Sequence, residues 1–370
     1  MGTDAPLFDD TAPPADAGPP TPCVLWCRPD QAQLARRLAR RANLEYRFAG
    51  SPERGRGGEL ARSLGAEHAG DLRAALTAWD APGAEDNPVG LALLLDAGTL
   101  GAGDDDAQTL ADLGARGVRV VSLDPIPASA TELGRSWTDG PEGARPVDRI
   151  RLAGLVSRMG TLHEAMEHRD SFGAVRSIGL SLCCGAGEGS LGGLLASGLE
   201  LLIAELGTPE LVDASHVGPR SDGGLHPASG DSIRGLHADL SVLLRFEGGQ
   251  SATMLLSDRA GAWDRRVTLL GQGGRLDITD DGFEWTGNQG ESVDRHEAPH
   301  ATGDASTPHA VRVLARDIAA ALSGEPDRGT RGGRGPIDPG PVLACAQTVL
   351  LSCRTGQAER PETITRMLHA

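Results

Sequence analysis

Short apolar runs alternating with helical stretches restrict the first third of this chain to a parallel sheet covered on both faces. The runs fall at 23–27, 45–49, 89–95 and 118–123, and helical spacing occupies 31–42, 58–64, 71–79 and a stretch opened by Asp104, Asp105 and Asp106. After Asp239 the pattern changes. Residues 239–246, 251–257, 266–270 and 275–278 alternate apolar and polar, with glycine turns at Glu247-Gly248-Gly249 and Gly271-Gln272-Gly273-Gly274, which predicts an antiparallel sheet with one wet face. Between these regions the spacing predicts a helix over 147–168, a strand over 175–183 and a helix over 191–206. Helices over 311–322 and 341–354 close the chain, the second ended by Gly356. The expected fold class is therefore α/β: a Rossmann-like parallel-sheet domain over 22–127, then an α+β domain over 128–370 with a large, mainly antiparallel open sheet. Residues 1–21, rich in Pro and Asp, predict a disordered tail.

The chain contains no lysine, all 35 basic residues being arginine. Schiff-base chemistry, the phosphate-loop lysine and the Tyr/Lys pair of short-chain dehydrogenases are thereby excluded. A formal charge of −16 disfavours nucleic acid and anionic lipid. No apolar run approaches the roughly 20 residues of a membrane span, and the N-terminus lacks a basic start and an apolar signal core. A cytoplasmic protein with small-molecule or protein partners is expected.

Cys23, Cys27, Cys183, Cys184, Cys345 and Cys353 include no Cys-x-x-Cys pair, so reduced core thiols and no metal are expected. His163 and His168 are five apart and diverge on a helix, which predicts a solvated face, while His226 and His237, near the expected cleft, read by default as surface-loop residues and otherwise as site candidates. The acids at 104–106 predict a solvated helix cap, and the Gly/Arg stretch 328–335 a loop. Gly185-Ala186-Gly187-Glu188-Gly189-Ser190 lacks the third glycine of a dinucleotide turn and reads as a loop over the cleft.

Several stretches together resemble the glucose-fructose oxidoreductase, inositol dehydrogenase and MocA (Gfo/Idh/MocA) family. They are Gly173-Ala174-Val175-Arg176-Ser177-Ile178, Leu243-Leu244-Arg245-Phe246-Glu247-Gly248-Gly249, Val267-Thr268-Leu269-Leu270-Gly271, Asp317-Ile318-Ala319-Ala320-Ala321-Leu322-Ser323-Gly324 and Val349-Leu350-Leu351-Ser352-Cys353-Arg354-Thr355-Gly356. The resemblance covers roughly 22–370. It implies NAD or NADP held on a Gly-x-Gly-x-x-Gly turn after the first strand, where missing side chains admit the pyrophosphate. Here that turn reads Trp26-Cys27-Arg28-Pro29-Asp30-Gln31, without glycine, and Arg28 is left to supply charge. After the second strand, Ser51 and Arg54 replace the usual acid and tilt the implied preference toward NADP.

Counted from Gly117, the family's Glu-Lys-Pro motif falls on Leu123-Asp124-Pro125. Pro125 is kept, while Asp124 stands where the resemblance implies a proton-shuttling lysine; a carboxylate with a reference pKa of about 3.9 acts there as a base. The helical Asp-x-x-x-His-x-x-Asp of the family falls on Gly193, Ser197 and Glu200, so Glu200 alone keeps a carboxylate. Two functional readings follow. One is a divergent NAD(P)-dependent oxidoreductase of a sugar or polyol, in which Asp124, Glu200 or a cleft histidine replaces the missing groups. The other is an inactive relative serving as a ligand- or partner-binding module. The resemblance also implies a homodimer or tetramer through the open sheet, with the Val242, Leu244, Phe246 and Met254, Leu256 rows expected to supply the apolar faces.

Overall fold

The computed structural model describes residues 18–78, 90–139, 145–218, 232–298, 309–324 and 338–368. Six parallel strands form the first sheet: β1 Thr21–Trp26, β2 Leu44–Gly50, β3 Glu67–His68, β4 Leu91–Leu94, β5 Arg119–Ser122 and β6 Ile150–Leu152, in the order β3-β2-β1-β4-β5-β6. Helices α1 Ala32–Arg41, α2 Gly57–Leu64, α3 Leu72–Ala78, α4 Asp104–Ala115 and α5 Arg135–Thr138 lie between them. All four side chains of β4 are fully buried, as the continuous apolar run requires of a strand covered on both faces. The strand order reverses between β1 and β4, and the carboxyl ends of these two strands flank the crevice where such sheets take ligands.

The second half begins with α6 Gly160–Glu167, α7 Arg169–Phe172, β7 Val175–Cys183, α8 Leu191–Leu206 and β8 Leu211–Val217. It continues through β9 Asp239–Arg245, β10 Ser251–Ser257, β11 Asp264–Gly271, β12 Gly274–Thr279, β13 Gly282–Thr286 and β14 Ser292–Glu297 to α9 His309–Leu322, α10 Pro339–Thr355 and α11 Pro361–Leu368. Its eight strands run β14-β13-β12-β11-β7-β10-β9-β8. β7 and β10 pair in parallel and their neighbours are antiparallel, the mainly antiparallel sheet that the alternation predicts.

Three expectations need correction. The helix expected over 147–168 is broken: residues 150–152 form β6, adding a strand to the first sheet beyond Pro127, and only α6 and α7 remain helical. The Val242, Leu244, Phe246 and Met254, Leu256 rows do not await a partner, because α8 and α10 of the same chain cover that face and leave each of them buried. The face left open carries Ser241, Leu243, Thr253 and Leu255 instead. Lastly, Asp106 is not a solvated cap: it is 1% exposed, accepts the Gly101 and Gly103 amides at 2.8 and 3.1 Å, and binds the Arg73 guanidinium. His226, the 328–335 stretch and the tail through residue 17 lie outside the described residues. Among the described residues no helix is long and apolar enough to cross a membrane, and no group of His, Cys, Asp and Glu has the makings of a metal site.

Candidate functional site

The carboxyl end of β1 leads into a 3-10 turn, Pro29–Gln31, ahead of α1. Side chains and backbone of this turn satisfy one another at Arg28, Gln31 and Ala32. The Arg28 amide donates to Gln31 Oε1 at 2.9 Å, Gln31 Nε2 donates to the Leu95 carbonyl at 2.9 Å, and the Gln31 amide returns to the Arg28 carbonyl at 3.0 Å. The Ala32 amide turns back to Pro29, and Pro29 itself has no N–H. Arg28 is nearly buried, its Nε 3.1 Å from Asp30 and its Nη1 3.4 Å from Asp96. Burial opposes its charge, yet the two carboxylates prevail and raise its pKa above the ordinary guanidinium value.

Asp124 follows β5 and is half-buried against the start of α8. Its Oδ1 accepts a hydrogen bond from Ser190 Oγ, the N-cap of α8, which itself takes the Gly193 amide at 3.2 Å. Burial pushes the Asp124 carboxyl up to about 6, and the negative charge of Asp96 adds to this, while Ser190 and Arg28 pull the other way. α8 reaches this end of the sheet because Gly193 is bare: a Cβ there would lie 2.2 Å from the Leu123 carbonyl oxygen. Ser197 is fully buried and accepts the Val156 amide at 3.0 Å. Glu200 lies ten residues beyond Ser190 in the same helix, about 15 Å along its axis, so the structure does not bring the Asp124 and Glu200 carboxylates together. Pro125 touches the site only as the residue after Asp124.

A second constellation, which no local pattern marks, lies at the mouth of β9 and β10. His237 Nδ1 lies 2.9 Å from Asp258 Oδ2, and Asp258 Oδ1 accepts the Ala238 amide at 2.7 Å. Ala238 holds a left-handed φ of +83° to make this contact, a conformation that costs a non-glycine residue energy and persists only where its surroundings fix it. Burial would raise the Asp258 carboxyl, but the His237 imidazole and the Ala238 amide hold it below the ordinary range. His237 is a cleft candidate from sequence. Asp258 is 21 residues away on the far side of a hairpin, a pairing that only the strand register supplies.

Ser51 and Arg54 line one cavity of about 670 Å³ with Trp26, His68, Arg73 and Gly98. Arg73 is committed to Asp106. Arg54 and His68 make no ion pair among the described residues. Arg28 does not line this cavity, so the cofactor-binding residues implied by the resemblance are divided between an open pocket and an internally bonded turn.

A doubly wound parallel-sheet domain joined to an α+β domain with a largely antiparallel sheet defines the class. No family model and no curated protein sequence matches the chain, whereas solved structures match it along nearly its whole length. GenD2 from gentamicin A biosynthesis, in complex with NAD, is 16% identical with a TM-score of 0.58, covering 95% of this chain and 99% of its own. Levoglucosan dehydrogenase, in complex with NADH and L-sorbose, is 13% identical with a TM-score of 0.55, covering 93% and 99%. The UDP-N-acetylglucosamine 3-dehydrogenase GnnA from Acidithiobacillus ferrooxidans is 12% identical with a TM-score of 0.55, covering 91% and 98%. These are oxidoreductases of the Gfo/Idh/MocA type, and the chain has their two-domain fold.

Proposed function

We propose that the chain is a binding module built on this dehydrogenase fold, holding a small polar ligand without hydride transfer. One observation carries the reading: Asp124, at the position where the resemblance implies a lysine, is half-buried and bonded to Ser190. The group at that position is spent on an internal contact. Ser197 supports the reading in the same way, through the Val156 amide. The cavity beside Ser51, lined also by Glu53, Arg54, His68 and Asp71, suits a hydroxylated ligand such as a sugar, because it offers both donors and acceptors. Six cysteines without a disulfide fit a reducing cytoplasm.

The module is further read as a homodimer. The open face of β11, β7, β10, β9 and β8 encloses a groove of about 630 Å³, and Leu255 at its centre is 51% exposed. Arg266 on one flank and Asp213 on the other have no ion-pair partner among the described residues.

A second reading, NAD(P)-dependent oxidation of a sugar or polyol, draws on the His237–Asp258 pair, where the carboxylate orients an imidazole able to accept a hydroxyl proton. In that reading Ser51 and Arg54 favour NADP. Incubation of the purified chain with NAD+ or NADP+ and, in turn, myo-inositol, levoglucosan and UDP-N-acetylglucosamine separates the two readings. No accumulation of reduced nicotinamide is expected. Steady turnover that Asp124→Asn or His237→Gln abolishes would overturn the binding-module reading.

A further inference from the structure

We infer that the chain closes the dinucleotide site on itself, so that neither NAD nor NADP binds at the β1 turn. The inference deepens the binding-module reading, but it stands on different residues and is tested separately.

Three contacts close the site. The first is Trp26 at the crevice between β1 and β4. Its indole lies where a Cβ on Gly50, at the end of β2, would come within 2.0 Å of Cζ3, and its Nε1 lies 3.4 Å from the corresponding position on Gly98, past β4. The ring thus spans the ends of β2, β1 and β4, and it is 5% exposed. The indole thus takes up the β1 corner of the switch point, the place such a fold offers a pyrophosphate, while the cavity lined by Ser51 and Arg54 stays open beside it.

The second contact is internal to the turn. A pyrophosphate is held by backbone N–H groups at a helix start. Here the Arg28 amide is taken by Gln31 Oε1, the Gln31 and Ala32 amides by carbonyls of the same turn, and Pro29 contributes none, which leaves the Asp30 amide as the one N–H of the turn without an acceptor among the described residues. Gln31 is fully buried, so the amide side chain stands where a glycine would leave room. Arg28, the remaining cation, is shared by Asp30 and Asp96, and an incoming phosphate would have to displace both carboxylates while facing their charge.

The third contact is the 185–190 loop. Gly187, at φ +76°, approaches so closely that a Cβ would lie 2.2 Å from the Asp30 carbonyl oxygen. The loop has little room to retreat: a Cβ on Gly189 would lie 2.7 Å from Cys184 Sγ and 3.4 Å from Trp263. Glu188 also faces Arg37 of α1 at 3.6 Å, which places a carboxylate over the helix that would receive the phosphate. The glycines that resemble a dinucleotide turn therefore let this loop pack down on the real turn. They do not cradle a phosphate.

The test is titration of the full chain with NADH and with NADPH, followed by tryptophan fluorescence and by thermal melting, to about 2 mM ligand. No saturable response and no shift in Tm are expected. A saturable response with a Kd below about 200 µM for either cofactor overturns the closure. If that binding brings no turnover with the sugars above, the binding-module reading survives alone; if it brings turnover, both fall. Opened variants test the cause. Trp26→Gly/Arg28→Gly/Gln31→Gly, or the milder Gln31→Gly should the triple variant not fold, is expected to gain at least about tenfold in NADH affinity. A variant that melts cooperatively yet gains nothing overturns the closure as the cause.

Discussion

Asp124 concentrates the site's electrostatics in one residue, and its titration has a definite sign. Its folded pKa, about 6, lies above the unfolded carboxyl value of about 3.9. The group therefore binds its proton more tightly in the folded chain. The stability it contributes is fully present below about pH 4 and is lost as pH rises through about 6. A difference of that size corresponds to at most about 3 kcal/mol, and solvent reaching the half-buried carboxyl lowers the figure. Asp124→Asn, which keeps an acceptor for Ser190 but cannot ionise, is expected to be more stable than the parent at pH 7 by about 1–3 kcal/mol. It should also flatten the rise in stability between pH 7 and 4. Urea melts at several pH values check this, and an unchanged pH profile would show that Asp124 does not titrate there. The sequence exposes Asp124 through the Leu123-Asp124-Pro125 stretch. It cannot expose Ser190, 66 residues away, because that contact depends on how α8 meets the sheet. Asp258 and Ala238 stay hidden for the same reason, a backbone conformation and a strand register leaving no trace in local pattern.

At the scale of elements, the approach of α8 to β5 decides where Asp124 is held, and that approach depends on an absent side chain. Gly193→Ala would drive a methyl into the Leu123 backbone, which cannot move aside as a flexible side chain would. The variant is expected to lose at least about 2 kcal/mol and to loosen the Ser190–Asp124 contact. Gly114→Ala provides the contrast: that glycine also lies in a helix, α4, but its new methyl would meet only the Arg149 side chain at 3.4 Å. There the gain in helix propensity should raise stability by about 0.5–1 kcal/mol. Thermal melts of the two variants check the pair, and a Gly193→Ala protein as stable as the parent would rule out the tight approach. Long, strongly periodic elements such as β7, α8, β9 and β10 are legible in sequence because one face is buried and the other is not. β6 is not legible: its three residues, Ile150, Arg151 and Leu152, are each only half buried and sit inside an otherwise helical spacing. β14 shows the same limit, since Val293 is the single apolar residue of Ser292–Glu297 and no period marks the strand.

For the whole molecule, the open sheet face remains, and its layout is self-complementary. Across the sheet, Arg266 on β11 lies in register with Ser181, Leu255, Ser241 and Ser215, and the neighbouring row runs Thr268, Gly179, Thr253, Leu243, Asp213. A two-fold axis along β10 lays β8 of one copy over β11 of the other. Arg266 then meets Asp213 one row away, a step of about 7 Å that a long guanidinium side chain spans, and Leu255 meets its own counterpart at the centre. The small residues between them allow the two sheets to approach closely. A homodimer is therefore expected by sedimentation at about 10 µM, a concentration that stable interfaces of ordinary size saturate. Leu255→Asp should yield a monomer, because it buries two carboxylates against each other at the axis. Asp213→Arg should also weaken the dimer by facing Arg266 with like charge, and Asp213→Arg/Arg266→Asp should restore it. Restoration by the double exchange identifies the pair as partners across the interface, since two independent surface changes would add their damage. A double variant no more dimeric than Asp213→Arg alone would place the contact on another face.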